Sequence, residues 1–582
     1  MTKPALSFSP DQLIGRVAGV DTHRISIAVT NSVLVTQIGV GDLIAIRGMT
    51  EQDYLIAIVE RVVRALGQAL PDLGDEEEAP LEIQPTDSVR ATLIGTFRTV
   101  DGNRSNTFKR GADSFPQIDR EAFVISAGNL QNFMGLLGSG FAEDERLKLG
   151  YFVADASAEA IASGDRLFQR HAAILGSTGS GKSFAVALLL ERAAKLRFPN
   201  IVVFDMHGEY APLTKGDVPI GKGFKIAGPG DLAAPAENSI FIPYWMLNNE
   251  EMLSMILDRS DQNAPNQASR FRTHIRDLKR ATLIREKQKA VEETFTIDSP
   301  IPYDLTELVR LLRKDDTEKG VGAKGTPVKG DWEGKLTRFV SRLESKLEDR
   351  RYGFMFSPPL ISNDYGWLAE IAWKLMRAGD GTGIKIIDFS EVPSDVLPVV
   401  AGMLARFVYD LQFWLTPDSR TPLTILCDEA HLYLPVRADA SAVERQALAA
   451  FERIAKEGRK YGVSIVVVSQ RPADISRTIL SQCNNFIALR LTNETDQAVI
   501  KRLVPDQMSA LTEILPLLDT GEALVLGDAV MLPTRIRLDL PKVEPTSATR
   551  EFWKDWANIE PRQDDIITAV QSLRGQTRPA NR

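Results

Sequence analysis

Eight consecutive residues, Gly176-Ser177-Thr178-Gly179-Ser180-Gly181-Lys182-Ser183, constrain this chain more than any other stretch. The apolar run Ala172 to Leu175 before them reads as a short buried strand, and Phe184 to Leu190 after them as a packed helix. A chain that leaves a strand, turns through glycines and enters a helix points several backbone N–H groups and a helix dipole at one spot. An anion binds there. Gly176, Gly179 and Gly181 allow the tight turn and the close approach of phosphate. Lys182 can reach the β- and γ-phosphates, and the Ser183 hydroxyl can ligate Mg²⁺. The bland alternative is a Gly-rich connector with an incidental lysine, and it leaves the flanking strand and helix unexplained.

The chain has 582 residues, enough for two to four domains with sizeable cores. No apolar run approaches the roughly 18 residues that a membrane-spanning helix needs. The N-terminus carries no long apolar region of the secretory kind. Cys427 and Cys483, the only cysteines, read as small core residues, and five histidines offer no metal cluster. These signs point to cytoplasmic residence, with no membrane. A net charge of −8 counts mildly against a coat of nucleic acid, yet leaves room for a local basic surface such as the lining of a central channel.

Short alternating runs between Ser9 and Val63, together with Arg90 to Val100, suggest a small antiparallel barrel. An acidic stretch from Pro71 to Pro80 reads as a solvated loop. From about Leu147 strands alternate with helices: Ala172–Leu175, Asn200–Phe204, Ser239–Ile242, Ile384–Asp388, Leu423–Cys427, Val463–Ser469 and Phe486–Leu491 are the expected strands. Ser394 to Leu415 and Ser441 to Tyr461 are expected helices, which makes a mostly parallel sheet covered on both faces. The expected division is 1–146, an N-terminal β-barrel with a connecting segment; 147–247 and 380–540, the two parts of an α/β core; 248–379, a helical insertion; and 541–582, a C-terminal extension whose Phe552, Trp553 and Trp556 could dock on a surface.

Hydrolysis of a bound nucleotide needs carboxylates as well. Leu423 to Cys427 ends in Asp428-Glu429-Ala430-His431, so Asp428 would hold Mg²⁺ indirectly and Glu429 would activate water. Ser469-Gln470-Arg471-Pro472 ends another strand, and Gln470 is placed to bond the γ-phosphate or the water, unless this is a simple strand exit. Asp205-Met206-His207-Gly208-Glu209-Tyr210 ends the strand after the P-loop helix; Asp205 and Glu209 could tune Mg²⁺ or water, with His207 and His431 as hydrogen-bonding neighbours.

Together these motifs, with Glu457-Gly458-Arg459-Lys460-Tyr461-Gly462, resemble the HerA family, hexameric DNA-translocating ATPases of the HerA–FtsK superfamily. Leu13 to Val17 with Gly41 to Ile46 resemble its N-terminal barrel (the HAS barrel), and Thr520 to Asp528 its last core strands. The resemblance implies a RecA-like P-loop ATPase core, ATP and Mg²⁺ as cofactors, and a homohexameric ring with ATP at subunit interfaces. A neighbour's arginine would stabilise the transferring phosphoryl group. Arg459, with Lys460 beside it, is the first candidate and Arg170 a second; a cation complementing a helix C-terminus is the plainer reading of Arg459.

The family resemblance also implies double-stranded DNA in a central channel and a partner nuclease of the NurA type. Its alternative is an assembly platform for an antiphage effector, sirtuin-like or a nuclease, docked on the barrel. Protein transport of the type IV secretion kind fits least. Arg270, Arg272, Arg276, Lys279, Arg280, Arg285, Lys287 and Lys289 form the most basic stretch, a candidate for phosphate contacts or simply a solvated helix face. Lys319, Lys324 and Lys329 are a second candidate.

Overall fold

Alternation of apolar and polar residues closes the N-terminal strands on themselves. In the computed structural model six antiparallel strands run in the spatial order Arg24–Val29, Leu13–Asp21, Glu121–Val124, Leu43–Arg47, Asp53–Gln68 and Ile83–Asp101, and the last pairs back with the first. Ile14, Val17, Ile25, Ile27, Ile44, Ile46, Leu55 and Val59 point inward and are almost fully buried. Two-residue periodicity puts them on one face of the pleat, and closure leaves no open edge. Gly15 is required at one crossing, because a Cβ there would run into the Ala28 carbonyl oxygen. A seventh strand, Arg104–Arg110, extends the barrel as a ribbon on Ile83–Asp101.

The structure describes residues 4–50, 53–68, 83–101, 104–321, 326–377, 383–438, 440–504, 506–546 and 552–576. The acidic stretch 71–80 and Lys324 lie outside the described residues. Two compact units make up the chain: one of residues 1–192, 468–473 and 483–542, the other of 193–467, 474–482 and 543–582.

In the first unit the P-loop strand Ala172–Leu175 pairs in parallel with Asn485–Ala488. Beyond that the sheet turns antiparallel through Glu522–Gly527, Thr534–Leu538, Arg146–Phe152 and Asp155–Ser163. The sequence reading of a mostly parallel sheet is incomplete here. The links from Gly527 to Thr534 and from Phe152 to Asp155 are too short for a crossover helix, so hairpins are the only closure available. Arg110 at the end of the ribbon ties the barrel to this sheet, donating Nε to the Met531 carbonyl at 2.7 Å.

The second unit is built on a wholly parallel run, Ser239–Ile240, Lys222–Ile226, Ile384–Asp388, Ile201–Asp205, Leu423–Cys427 and the strand Val463–Ser469 as far as residue 467, in spatial order. Leu423–Cys427 and Ile201–Asp205 are buried along their whole length, as strands covered on both faces must be. Helices Leu397–Trp414 and Ala442–Glu457 lie within the expected spans, the second ending in a 3₁₀ turn, Gly458–Tyr461.

Between Asn249 and Met376 the same unit is helical, with Asn249–Ile256, Ala264–Arg285, Leu305–Thr317, Thr337–Glu348 and Trp367–Met376. The basic helix Ala264–Arg285 is knit into this bundle. Arg270 pairs with Asp315, and His274 Nε2 lies 2.6 Å from Asp315 Oδ2. Lys279 is buried and donates to the Ile297 and Ser299 carbonyls at 2.7 and 2.6 Å. Among the described residues no helix is long and apolar enough to cross a membrane. Phe552, Trp553 and Trp556 stand exposed on the helix Phe552–Asn558.

Candidate nucleotide-binding loop and carboxylate cluster

The P-loop takes its shape from its neighbours in the first unit. Gly176 N–H donates to the Ser469 carbonyl at 3.2 Å and Ser177 N–H to the Arg490 carbonyl at 2.8 Å, which fixes where the loop leaves its strand. Gly179 and Gly181 carry φ values of +72° and +104°, a left-handed backbone that glycine adopts without a Cβ clash. A Cβ on Gly176 would sit 2.5 Å from Ser180 Oγ. Lys182 opens the helix Lys182–Ala193, is nearly buried, and lays Nζ back over the loop to the Ser177 carbonyl at 3.3 Å. An ammonium folded over a glycine cradle in this way is suited to a phosphate, and the cradle fits the phosphates of ATP. Ser183 and Phe184 follow on the first turn, both half-buried.

Gln470 is brought to this loop. The Thr178 hydroxyl donates to Gln470 Oε1 at 2.5 Å, so the polar end of one strand touches the tip of the P-loop. Ser469 Oγ accepts the Arg471 N–H at 3.0 Å and holds that strand end in place. Arg170 is not turned to the loop. Its guanidinium pairs with Asp528, which Arg110 also approaches at 3.8 Å.

In the second unit a set of carboxylates collects at the C-terminal ends of the parallel strands. Asp205 is enclosed and anchors its own turn: Oδ1 accepts Glu209 N–H at 3.0 Å and Oδ2 accepts Tyr210 N–H at 3.0 Å. Burial pushes its carboxyl up to about 6, against the pull of those backbone donors, and Asp388 adds like charge. Asp205 therefore serves the turn directly, a role that its place in the motif did not reveal. Gly208, at φ +74°, lies beside Asp388, where a Cβ would come within 3.4 Å of Oδ2. Asp388 at the adjacent strand end is a member the sequence reading missed, although it closes the strand Ile384–Asp388 in register with Asp205.

Asp428 is also buried, and its carboxyl is held well above the usual range, first by burial, then by the charges of Glu429, Asp205 and Glu209. Glu429 sits at φ +43° in a left-handed turn, and its Oε2 lies 3.2 Å from His431 Nδ1. His207 is exposed and Glu209 half-buried. Asp205 and Asp428 are the enclosed acids of the set, and among the described residues no group of three or more His, Cys, Asp or Glu is gathered closely enough to hold a metal ion unaided.

Arg459 and Lys460 are exposed on the 3₁₀ turn. Among the described residues no ion pair engages Arg459.

A family model described as the central domain of helicase HerA matches residues 147–408. The probable helicase MJ1565 of Methanocaldococcus jannaschii is 26% identical over 539 residues, covering 91% of this chain and 92% of that protein. The DNA double-strand break repair helicase HerA of Saccharolobus solfataricus is 28% identical over 399 residues, 68% of this chain and 69% of that protein. Among solved structures, VirB4 of Thermoanaerobacter pseudethanolicus matches with a TM-score of 0.46 and 17% identity, over 69% of this chain and 98% of that one. With its P-loop, its mixed α/β core and its closed N-terminal barrel, the chain is similar to the HerA helicases, most directly over residues 147–408.

Proposed function

We propose that this protein is an ATP-hydrolysing ring motor that moves along double-stranded DNA and works with a partner nuclease or effector. The observation that carries the reading is the contact between Thr178 and Gln470, which gives a phosphate-binding loop a polar reporter on a neighbouring strand. In this reading Lys182 and the P-loop amides hold the phosphates, and Asp428 with the Ser183 hydroxyl holds Mg²⁺. Glu429 takes a proton from the attacking water. Mg²⁺ supplies neutralisation of the charge that develops on the phosphates. Gln470 orients the water or senses the γ-phosphate, and Arg459 of a neighbouring subunit completes the charge balance. Asp205 and Glu209 shape the turn beside the cation.

DNA as the track follows from the relatives, two of them named as helicases, one for double-strand break repair. The homohexamer, the central channel and a NurA-like nuclease or sirtuin-like effector on the barrel follow from the family resemblance. The assembly-platform alternative keeps the same ATPase chemistry and makes translocation secondary. ATPase assays on the full chain and its Glu429→Gln variant test the enzymatic core. Binding of ATP with turnover reduced at least about 100-fold in the variant is expected, and normal turnover would remove Glu429 from the base role.

A further inference from the structure

The P-loop is held on two flanks by different parts of the first unit. On one flank the Thr178 hydroxyl meets Gln470, the residue assigned above to the γ-phosphate or the water. On the other flank the turn Thr520-Gly521 leans against the loop. The Gly521 N–H donates to the Ser180 carbonyl at 3.1 Å, and the Thr520 hydroxyl to the Gly179 carbonyl at 3.4 Å. Topology brings the turn there. Asn485–Ala488 pairs in parallel with the P-loop strand, and Glu522–Gly527 runs antiparallel to Asn485–Ala488. The residues just before Glu522 therefore reach the sheet edge that carries the loop. Gly521, at φ +78°, turns the chain into that strand.

Asp519 opens this turn with a side chain that is 66% exposed yet held in place. Its Oδ1 accepts the Thr520 N–H at 2.8 Å, and its Oδ2 accepts from Arg537 Nη2 at 3.2 Å. Arg537 is steadied in turn by buried Glu522, whose Oε1 accepts from it at 2.8 Å. The Thr520 N–H first, then Arg537, hold the Asp519 carboxyl below its ordinary range, so it is ionised at neutral pH. Among the described residues each of its oxygens accepts once, which leaves a lone pair on each. Propping the loop takes only the Gly521 N–H and the Thr520 hydroxyl, so the oriented, exposed carboxylate beside the phosphate cradle is left for another use. A nucleotide laid on the loop with its terminal phosphate at Gln470 carries its nucleoside toward the opposite flank, and the inference rests on that reading of the loop as an ATP site. We infer that Asp519 is a specificity-determining residue of the nucleotide site, its carboxylate accepting from the ribose hydroxyls, so that ribonucleoside triphosphates are preferred to their deoxy forms. Vicinal hydroxyls offer two donors, and an ionised carboxylate is a charge-assisted acceptor for them.

The test is equilibrium binding of ATP and of 2′,3′-dideoxy-ATP, with Mg²⁺, to the full chain and to its Asp519→Ala variant. The parent should bind ATP about tenfold more tightly than the dideoxy analogue, the worth of one hydrogen bond to a charged group. The variant should bind ATP about tenfold more weakly than the parent does. It should bind the dideoxy analogue as well as the parent does, so that discrimination disappears. Equal binding of the two nucleotides by the parent would overturn the inference, and that measurement needs no variant. Discrimination kept by the variant would also overturn it. So would equal weakening of both nucleotides, since Asp519 would then serve only the shape of the loop. If the parent bound neither nucleotide, the ATP reading of the loop would fall and this inference with it.

Discussion

Thr178 and Gln470 lie 292 residues apart in the chain, yet the threonine hydroxyl donates to the glutamine amide oxygen at 2.5 Å. The bond joins the tip of the phosphate-binding loop to a strand end and gives Gln470 a defined orientation. Replacing Gln470 by Ala should lower kcat for ATP hydrolysis by about 100- to 1,000-fold, the size seen when one positioned polar group is lost from a transition state. Nucleotide affinity should change little. Steady-state kinetics together with analogue binding separates the two, and a variant that loses affinity but keeps kcat would make Gln470 a ground-state contact only.

Asp205 gives a pH-dependent prediction. Its carboxyl titrates at about 6 in the folded protein, above the ordinary 3.8, chiefly through burial. The folded state therefore holds the proton more tightly than the unfolded chain does. The stabilisation is fully present below the unfolded value and is lost as pH rises through the folded one, on the order of 3 kcal/mol across the window. In EDTA, the nucleotide-free protein should lose stability relative to its Asp205→Asn variant between about pH 4 and about pH 6. Denaturant melts of both proteins across that range measure the gap, and a gap that is flat or moves the other way would contradict the burial account.

The basic stretch that begins with the helix Ala264–Arg285 splits into two kinds of cation. Arg270 and Lys279 are committed inside the bundle, the first to Asp315 and the second to backbone carbonyls. Arg276 on the helix, and Lys287 and Lys289 just beyond it, face outward. Asp315→Ala should destabilise the protein by about 3 kcal/mol, because it strands Arg270 and His274 in the interior. Arg276→Glu and Lys287→Glu should instead weaken duplex binding and reduce its salt slope by about 1 for each phosphate no longer neutralised. Binding isotherms at several salt concentrations decide it; an unchanged slope would place the DNA-binding surface elsewhere.

Much of this was legible in the sequence because the chemistry is local. The P-loop is set by glycines at fixed spacing. Strand ends such as Asp428 and Gln470 announce themselves as polar residues after apolar runs. What the sequence hid were relationships across distance. Nothing near Arg170 says that Asp528 will take its guanidinium, and nothing near Asp388 says that its strand will lie in register beside Asp205. The antiparallel half of the first unit was missed for a related reason, since a buried strand reads alike whether its neighbour runs parallel or antiparallel. Lys279 looked like a surface cation because its helix is polar overall. Only the packing of the segment around Ile297 and Ser299 turns it inward.

In the proposed function ATP hydrolysis at the P-loop is coupled to duplex DNA. The measurement that tests it most directly is the ATPase rate of the full chain with and without linear duplex DNA, beside the Lys182→Ala variant. DNA should stimulate the parent several-fold, and the variant should show no turnover above background. Hydrolysis indifferent to DNA, or surviving the loss of Lys182, would contradict it.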